Sequence, residues 1–225
     1  MFYLFLLAHL VADFMLQPYW LVARKRYWYG LAIHCGIVLA CMLALPLLDP
    51  AALRLWPAML AITAVHFFAD WGKVNHGDRI PGPPIGPFML DQLIHVTTLA
   101  AVLSLALPAE QVWTLSGSPA AASAVYAGAY IVALLATPIA VMVWLDPRFE
   151  KQALAGRARV RSLVAGATVV SLTLFGGAVA LPATLLGVMI VARRPLSTHP
   201  LDSSAGLLTV VCVAATLGVL LQIAL

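Results

Sequence analysis

Residues 52–73, ALRLWPAMLAITAVHFFADWGK, decide how this chain is read. As a helix the stretch is long enough to cross a bilayer, which takes about 20 mostly apolar residues. Yet His66 and Asp70 sit inside the apolar run. A spacing of four puts both on one helix face, one turn apart. Ionisable groups within a membrane are expensive and by default mark function. The same spacing recurs as His9/Asp13 in AHLVADFMLQ and, in reverse order, as Asp91/His95 in MLDQLIHV. A lone histidine, His34, lies in LAIHCGIVLA.

Composition agrees with a membrane class. Hydrophobic residues make up 63% of the 225 residues, charged residues 10%, and mean hydropathy is +0.97. A soluble domain is about half apolar and about a quarter charged. The expected fold is all-α, a polytopic transmembrane helical bundle. Full-length spans are expected at 2–17, 29–48, 52–73, 87–107, 121–145, 161–181 and 204–225. That makes seven, with 182–192 as a short span or half-helix. Residues 1–107 form the four-helix half that carries the His/Asp residues, and 108–225 the C-terminal half of the same membrane domain. The N-terminus lacks a basic lead and a small-residue cleavage site, so 1–17 is expected to be a retained segment. Cys35, Cys41 and Cys212 lie in apolar runs without paired spacing and are expected to be buried small hydrophobes.

Loop charge sets the expected orientation. Arg24, Lys25 and Arg26 follow the first segment, Lys73 and Arg79 the third, and Arg148, Lys151, Arg157, Arg159 and Arg161 the fifth. The intervening loops hold only Asp49, Arg54 and Glu110. The positive-inside rule then places the N-terminus outside and the basic loops in the cytoplasm, in a multi-pass membrane protein. The net charge of +4 falls in these short loops, which suits contact with anionic lipid and not nucleic-acid binding. PYWLVARKRYWY (18–29) is expected to lie on the inner leaflet. The loop NHGDRIPGPPIGP (75–87) reads as an ordinary turn, with a lid or a ligand from His76 or Asp78 as the alternative.

On this topology the reversed pair becomes informative. The first and third segments run inward and the fourth outward, so Asp13, Asp70 and Asp91 share one layer. His9, His66 and His95 share the next, about one turn deeper, with His34 at the same level. Imidazole and carboxylate together suit Zn first, with Mn or Fe as alternatives, and bundle cores host such sites. The expected metal ligands are His9, Asp13, His34, His66, Asp70, Asp91 and His95, for one or two divalent ions. Gln17 and Gln92 are expected to hydrogen-bond a ligand or substrate.

The strings HLVADFMLQ, LAIHC, HFFADW and LDQLIH resemble the signature of an integral-membrane family of bacteria catalogued as domain of unknown function 3307. The resemblance is close over about residues 5–100 and looser beyond. There the family's short apolar stretch ending in a basic residue corresponds to VMIVARR, and its acidic residue opening the last helix to Asp202. The resemblance implies architecture, site residues and a setting in the bacterial inner membrane, not a reaction.

The expected function is a membrane-embedded, metal-dependent hydrolase acting on a lipid or amphiphile, with Asp13 or Asp91 as general base. The alternatives are a divalent-cation or proton transporter using the same residues, and a structural or assembly subunit. No phosphate-binding glycine loop, dinucleotide fingerprint or nucleophile elbow occurs.

Overall fold

The computed structural model describes residues 1–115, 118–146, 156–193 and 197–224. Arg148 and Lys151, assigned to a basic loop above, lie outside the described residues, as do Arg194 and the Asp78 side chain. Within a bilayer, backbone N–H and C=O groups must pair inside their own segment, which makes apolar runs helical. Every described element is helical, and no strand occurs among the described residues.

The helices are α1 (Phe2–Leu10), α2 (Tyr19–Arg24), α3 (Trp28–Leu43), α4 (Trp56–His76), α5 (Ile85–Ala106) and α6 (Ala109–Trp113). They continue with α7 (Pro119–Ile131), α8 (Thr137–Leu145), α9 (Arg157–Gly176), α10 (Leu181–Ala192) and α11 (Ser204–Ala224). Six stretches are long and apolar enough to cross a membrane: 28–47, 50–76, 85–106, 119–145, 157–176 and 204–224. The chain is thus a membrane protein. Two apolar helices are shorter, Phe2–Met15 and Leu181–Ile190. The first expected span therefore ends sooner than the residue 17 read from the sequence, because Leu16 and Pro18 leave helical geometry. Large exposed side chains such as Phe68, Leu93, Leu105, Phe175 and Ile223 suit a lipid-facing surface.

Proline and capping set several boundaries. The Asp49 carboxylate accepts the Ala51 N–H at 2.9 Å and opens a 3-10 turn over Pro50–Leu55 that leads into α4. Pro108 forces Leu107 into an extended conformation, which closes α5. Gly177, at φ +64°, closes α9 in the left-handed region that favours glycine.

The chain forms two compact units, Met1–Gly128 and Ala129–Leu225. In the first, α1, α3, α4 and α5 bury Leu4, Phe5, Val38, Met42, Met59, Ile62, Leu99 and Leu103 against one another. In the second, α9 and α11 pack closely around Val169, Val170, Val211 and Ala214. Here Gly218 faces Thr173 with no room for a Cβ, as small residues allow in membrane bundles. Asp202 lies in the 3-10 turn just before α11, fully buried, and its carboxylate takes Arg161 and the Ser197 hydroxyl. Arg161 is therefore an internal partner of that acid and not one of a row of arginines facing lipid.

Residues 18–29 fold back as α2 and a tight turn. Leu21 is fully buried, whereas Trp20, Tyr27 and Trp28 are exposed. The turn is held by the Tyr27 N–H donating to the Arg24 carbonyl at 2.9 Å. Gly30 lies against that carbonyl so closely that a Cβ would overlap it. Gly30→Ala is expected to destabilise the protein by about 1–3 kcal/mol, the usual range for overpacking. Thermal unfolding in detergent measures this; an unchanged midpoint would contradict the close approach.

Candidate metal centre

Each of the four principal helices of the first unit contributes one imidazole. α1 supplies His9, α3 His34, α4 His66 and α5 His95, all with at most 3% of their surface exposed. Asp13, Asp70 and Asp91 are buried beside them. The seven residues singled out from the sequence are thus brought together. Ring centroids chain through the site: His34–His66 at 5.0 Å, His66–His95 at 3.9 Å and His95–His9 at 5.1 Å.

Asp13 reaches the centre by a local departure from α-geometry. Val11–Met15 is a π-helical turn, with the Leu16 N–H donating to the Val11 carbonyl at 2.9 Å. Such turns concentrate at functional sites. The wider turn starts between His9 and Asp13 and re-aims the carboxylate. No residue type in LVADFM signals it.

The closest approach of donor atoms is around His34 and His66, which Asp13 and Asp70 each flank. His34 Nε2 and His66 Nε2 are 2.9 Å apart. Asp13 Oδ1 lies 3.4 Å from the first and 3.7 Å from the second, and Asp70 Oδ2 stands at the same two distances. Donors about 2.0–2.1 Å from a tetrahedral ion are separated by roughly 3.3–3.4 Å, so the measured spacings bracket those of a zinc-like centre. Asp13 Oδ1 is buried without a hydrogen-bond partner. The two imidazole nitrogens are hydrogen-bonded to each other, one donating, while Asp13 Oδ1 is an orphaned carboxylate oxygen of the kind a cation would satisfy, since buried polar atoms are normally paired.

A second group of donors is less complete. Asp70, Asp91 and His95 each offer an atom within 4.8 Å of the others. Asp91 Oδ1, His9 Nε2 and both ring nitrogens of His95 are buried and unpartnered. Beside His9, His66 and His95 lies a cavity of about 10 Å³, closed further along by Val38, Met42, Ile62 and Leu99. That is on the order of the space one water occupies.

Two lysines absent from the expected site belong to it. Lys25, read from the sequence as a loop charge, is only 8% exposed and donates to Asp70 Oδ2 at 2.6 Å. Lys73 donates to Asp91 Oδ2 at 2.7 Å, and its ammonium also lies 5.2 Å from the Phe88 ring centroid. In sequence Lys25 is indistinguishable from its neighbours Arg24 and Arg26. For Lys73 a weak signal exists, since it follows Asp70 by three residues on one helix. Gln92 donates to Asp91 Oδ2 at 3.2 Å, whereas Gln17 Oε1 is buried and unpaired. His76 is exposed against the Trp71 ring at 5.4 Å and is not among the grouped donors.

At the other end of the same unit a separate cavity of about 410 Å³ is lined by Leu4, Asp49, Arg54, Leu107, Glu110 and Thr114 among others. The N-terminal ammonium donates there to the Gln111 carbonyl at 2.9 Å, and burial lowers its pKa.

The family described as a protein of unknown function (DUF3307) matches residues 1–122, and the chain belongs to it. The matched region contains all seven histidine and aspartate residues and both lysines. No curated protein and no solved structure matches the chain.

In chelator, Lys25→Met leaves Asp70 as a buried charge without its ammonium, a change that typically costs about 3–5 kcal/mol. Lys25→Met with Asp70→Asn should regain much of that loss. Unfolding midpoints of the two single variants and the double variant test this. Strictly additive effects would mean that the pair is not coupled.

Proposed function

We propose that the protein is a membrane-embedded, metal-dependent hydrolase acting on a lipid or amphiphile. The observation that carries this is that Asp13 Oδ1 and Asp70 Oδ2 each stand 3.4 Å and 3.7 Å from the close pair His34 Nε2 and His66 Nε2, with Asp13 Oδ1 lacking a hydrogen-bond partner. Zinc suits two imidazoles and two carboxylates, with manganese or iron as alternatives. Asp91, His95 and His9 are the remaining donors, available to a second ion. A divalent ion at the first position would acidify a water and polarise a scissile carbonyl or phosphoryl group. Asp91 suits the general base better than Asp13. Its Oδ2 accepts from Gln92 as well as from Lys73, so Gln92 keeps the carboxylate oriented whether or not Lys73 stays, and Oδ1 is left without a hydrogen-bond partner to accept a proton. Asp13, facing three imidazoles, serves as a ligand.

The proposed setting is the inner membrane of a bacterium, with the site towards the cytoplasm. What supports it is the excess of lysine and arginine in the loops at the site's end of α1, α3, α4 and α5. Membrane lipids are then the immediate partners, and a substrate enters from the inner leaflet.

A transporter would need the polar path to continue. From His66 along α4 the buried positions run Ile62, Met59 and Leu55, and from His95 along α5 they run Leu99 and Leu103. This apolar layer favours the enzyme. Purified protein is expected to hold about one or two ions per chain by elemental analysis. His34→Ala and Asp13→Ala should each weaken metal affinity by at least about 100-fold, beyond the roughly 10–100-fold typical of losing a group behind a ligand. Asp91→Asn should retain the first ion yet abolish turnover of phospholipid in reconstituted vesicles, read by mass spectrometry of the products. A metal-free native protein that is fully active would contradict the proposal. Ion flux across those vesicles without lipid turnover would favour transport.

A further inference from the structure

We infer that Lys25 and Lys73 form a receptor for a phosphate-bearing ligand, released for that task when metal occupies the site. The inference rests on the metal-centre reading above and names the chemical class of what that centre receives.

The starting point is a competition for one atom. Asp70 Oδ2 accepts the Lys25 ammonium at 2.6 Å and also stands 3.4 Å from His34 Nε2 and 3.7 Å from His66 Nε2. A cation held by those imidazoles shares this oxygen with a lysine that carries the same sign of charge. Lys73 stands in the same relation to Asp91, whose other oxygen is unpartnered and faces His95 Nδ1 at 3.8 Å. Without metal, three buried carboxylates and two ammonium groups leave one net negative charge. One divalent ion reverses this to one net positive charge, and a second ion makes it three. Buried charge of one sign without a counter-ion is strongly unfavourable. A loaded site therefore calls for an anion, and it already holds two flexible ammonium groups at its edge.

The position of the lysines indicates the rest of the ligand. Lys25 follows α2, whose surface shows Trp20 and Val22, with Tyr27 and Trp28 exposed just beyond. The Lys73 side chain is 33% exposed, beside Phe88. The charged mouth is therefore bordered by aromatic and apolar surface, as an amphiphile's headgroup would require. Phosphate fits better than carboxylate. Three cationic centres face the ligand, and a phosphomonoester offers three strong acceptor oxygens where a carboxylate offers two. A lysine acts towards phosphate as a point charge on a flexible stem, which suits a side chain that must leave one partner for another.

The test uses the full chain in nanodiscs of neutral phosphatidylcholine, titrated with zinc at buffered free concentration. One arm contains no added anion, a second inorganic phosphate, and a third phosphatidic acid in the disc. Linkage is reciprocal, so an anion that binds the loaded site must tighten zinc binding; about 10-fold is expected, within the usual range for coupled sites. Lys25→Gln and Lys73→Gln should each bind zinc more tightly than native protein without anion, because a competing ammonium is gone. Each should lose most of the anion-dependent gain. A purely structural lysine would instead weaken zinc binding when removed. Tightening by phosphatidic acid alone identifies a lipid headgroup, and tightening by both anions shows that phosphate itself suffices. Zinc bound with unchanged affinity in all three arms would overturn the inference and leave the metal centre standing. Absence of zinc binding would overturn the metal centre itself. Should either glutamine variant fail to fold, the three native arms decide alone.

Discussion

Three aspartates buried among apolar helices impose the constraint that the rest of the first unit answers. An ionised carboxylate in such surroundings is tolerated only when paired, hydrogen-bonded or bound to metal. Asp13, Asp70 and Asp91 are each at most 8% exposed. The chain meets this demand from every direction. Four helices each contribute a histidine, α2 folds back to deliver Lys25, and α4 extends far enough to bring Lys73 beside Asp91. Even so, Asp13 Oδ1 and Asp91 Oδ1 remain without hydrogen-bond partners. On the proposed reading, a divalent cation supplies the compensation that these two oxygens lack.

The polarity of the unit along its helices limits what such a centre does. The imidazole layer borders a void of about 10 Å³ and then an apolar layer of Val38, Met42, Ile62 and Leu99. Leu4, Phe5, Met59 and Leu103 follow, all essentially inaccessible. Only past them does the cavity of about 410 Å³ near Asp49, Arg54 and Glu110 begin. An ion crossing between the two would have to part close-packed, mostly apolar side chains, with Thr98, beside the void, as the polar residue next to the imidazoles. The end that carries Lys25 and Lys73 instead brings charged side chains up to the centre, with the Lys73 side chain 33% exposed. This asymmetry fits chemistry at one face better than passage through the bundle.

Much of this was legible in the sequence because its signals were local. His66 and Asp70 share a helix face by spacing alone, and the reversed order of Asp91 and His95 followed from the alternating direction of successive spans. Other features depend on tertiary placement and carry no local signature. Lys25 differs from Arg24 and Arg26 only in where the turn before Gly30 points it. The π-turn that re-aims Asp13 arises in residues that would equally well continue an α-helix. Arg161, one of several arginines near the start of α9, is set apart only by the buried Asp202 from a distant turn. Packing decided these cases, and packing is not written in any short stretch of residues.

The central claim is that His34, His66, Asp13 and Asp70 hold one metal ion. X-ray absorption at the zinc edge of the metal-loaded protein tests it most directly. Nitrogen and oxygen donors are expected at about 2.0–2.1 Å, with the outer-shell scattering of two imidazoles, and loss of one imidazole in His34→Ala. A spectrum of hydrated zinc without imidazole scattering, unchanged by that substitution, would contradict it.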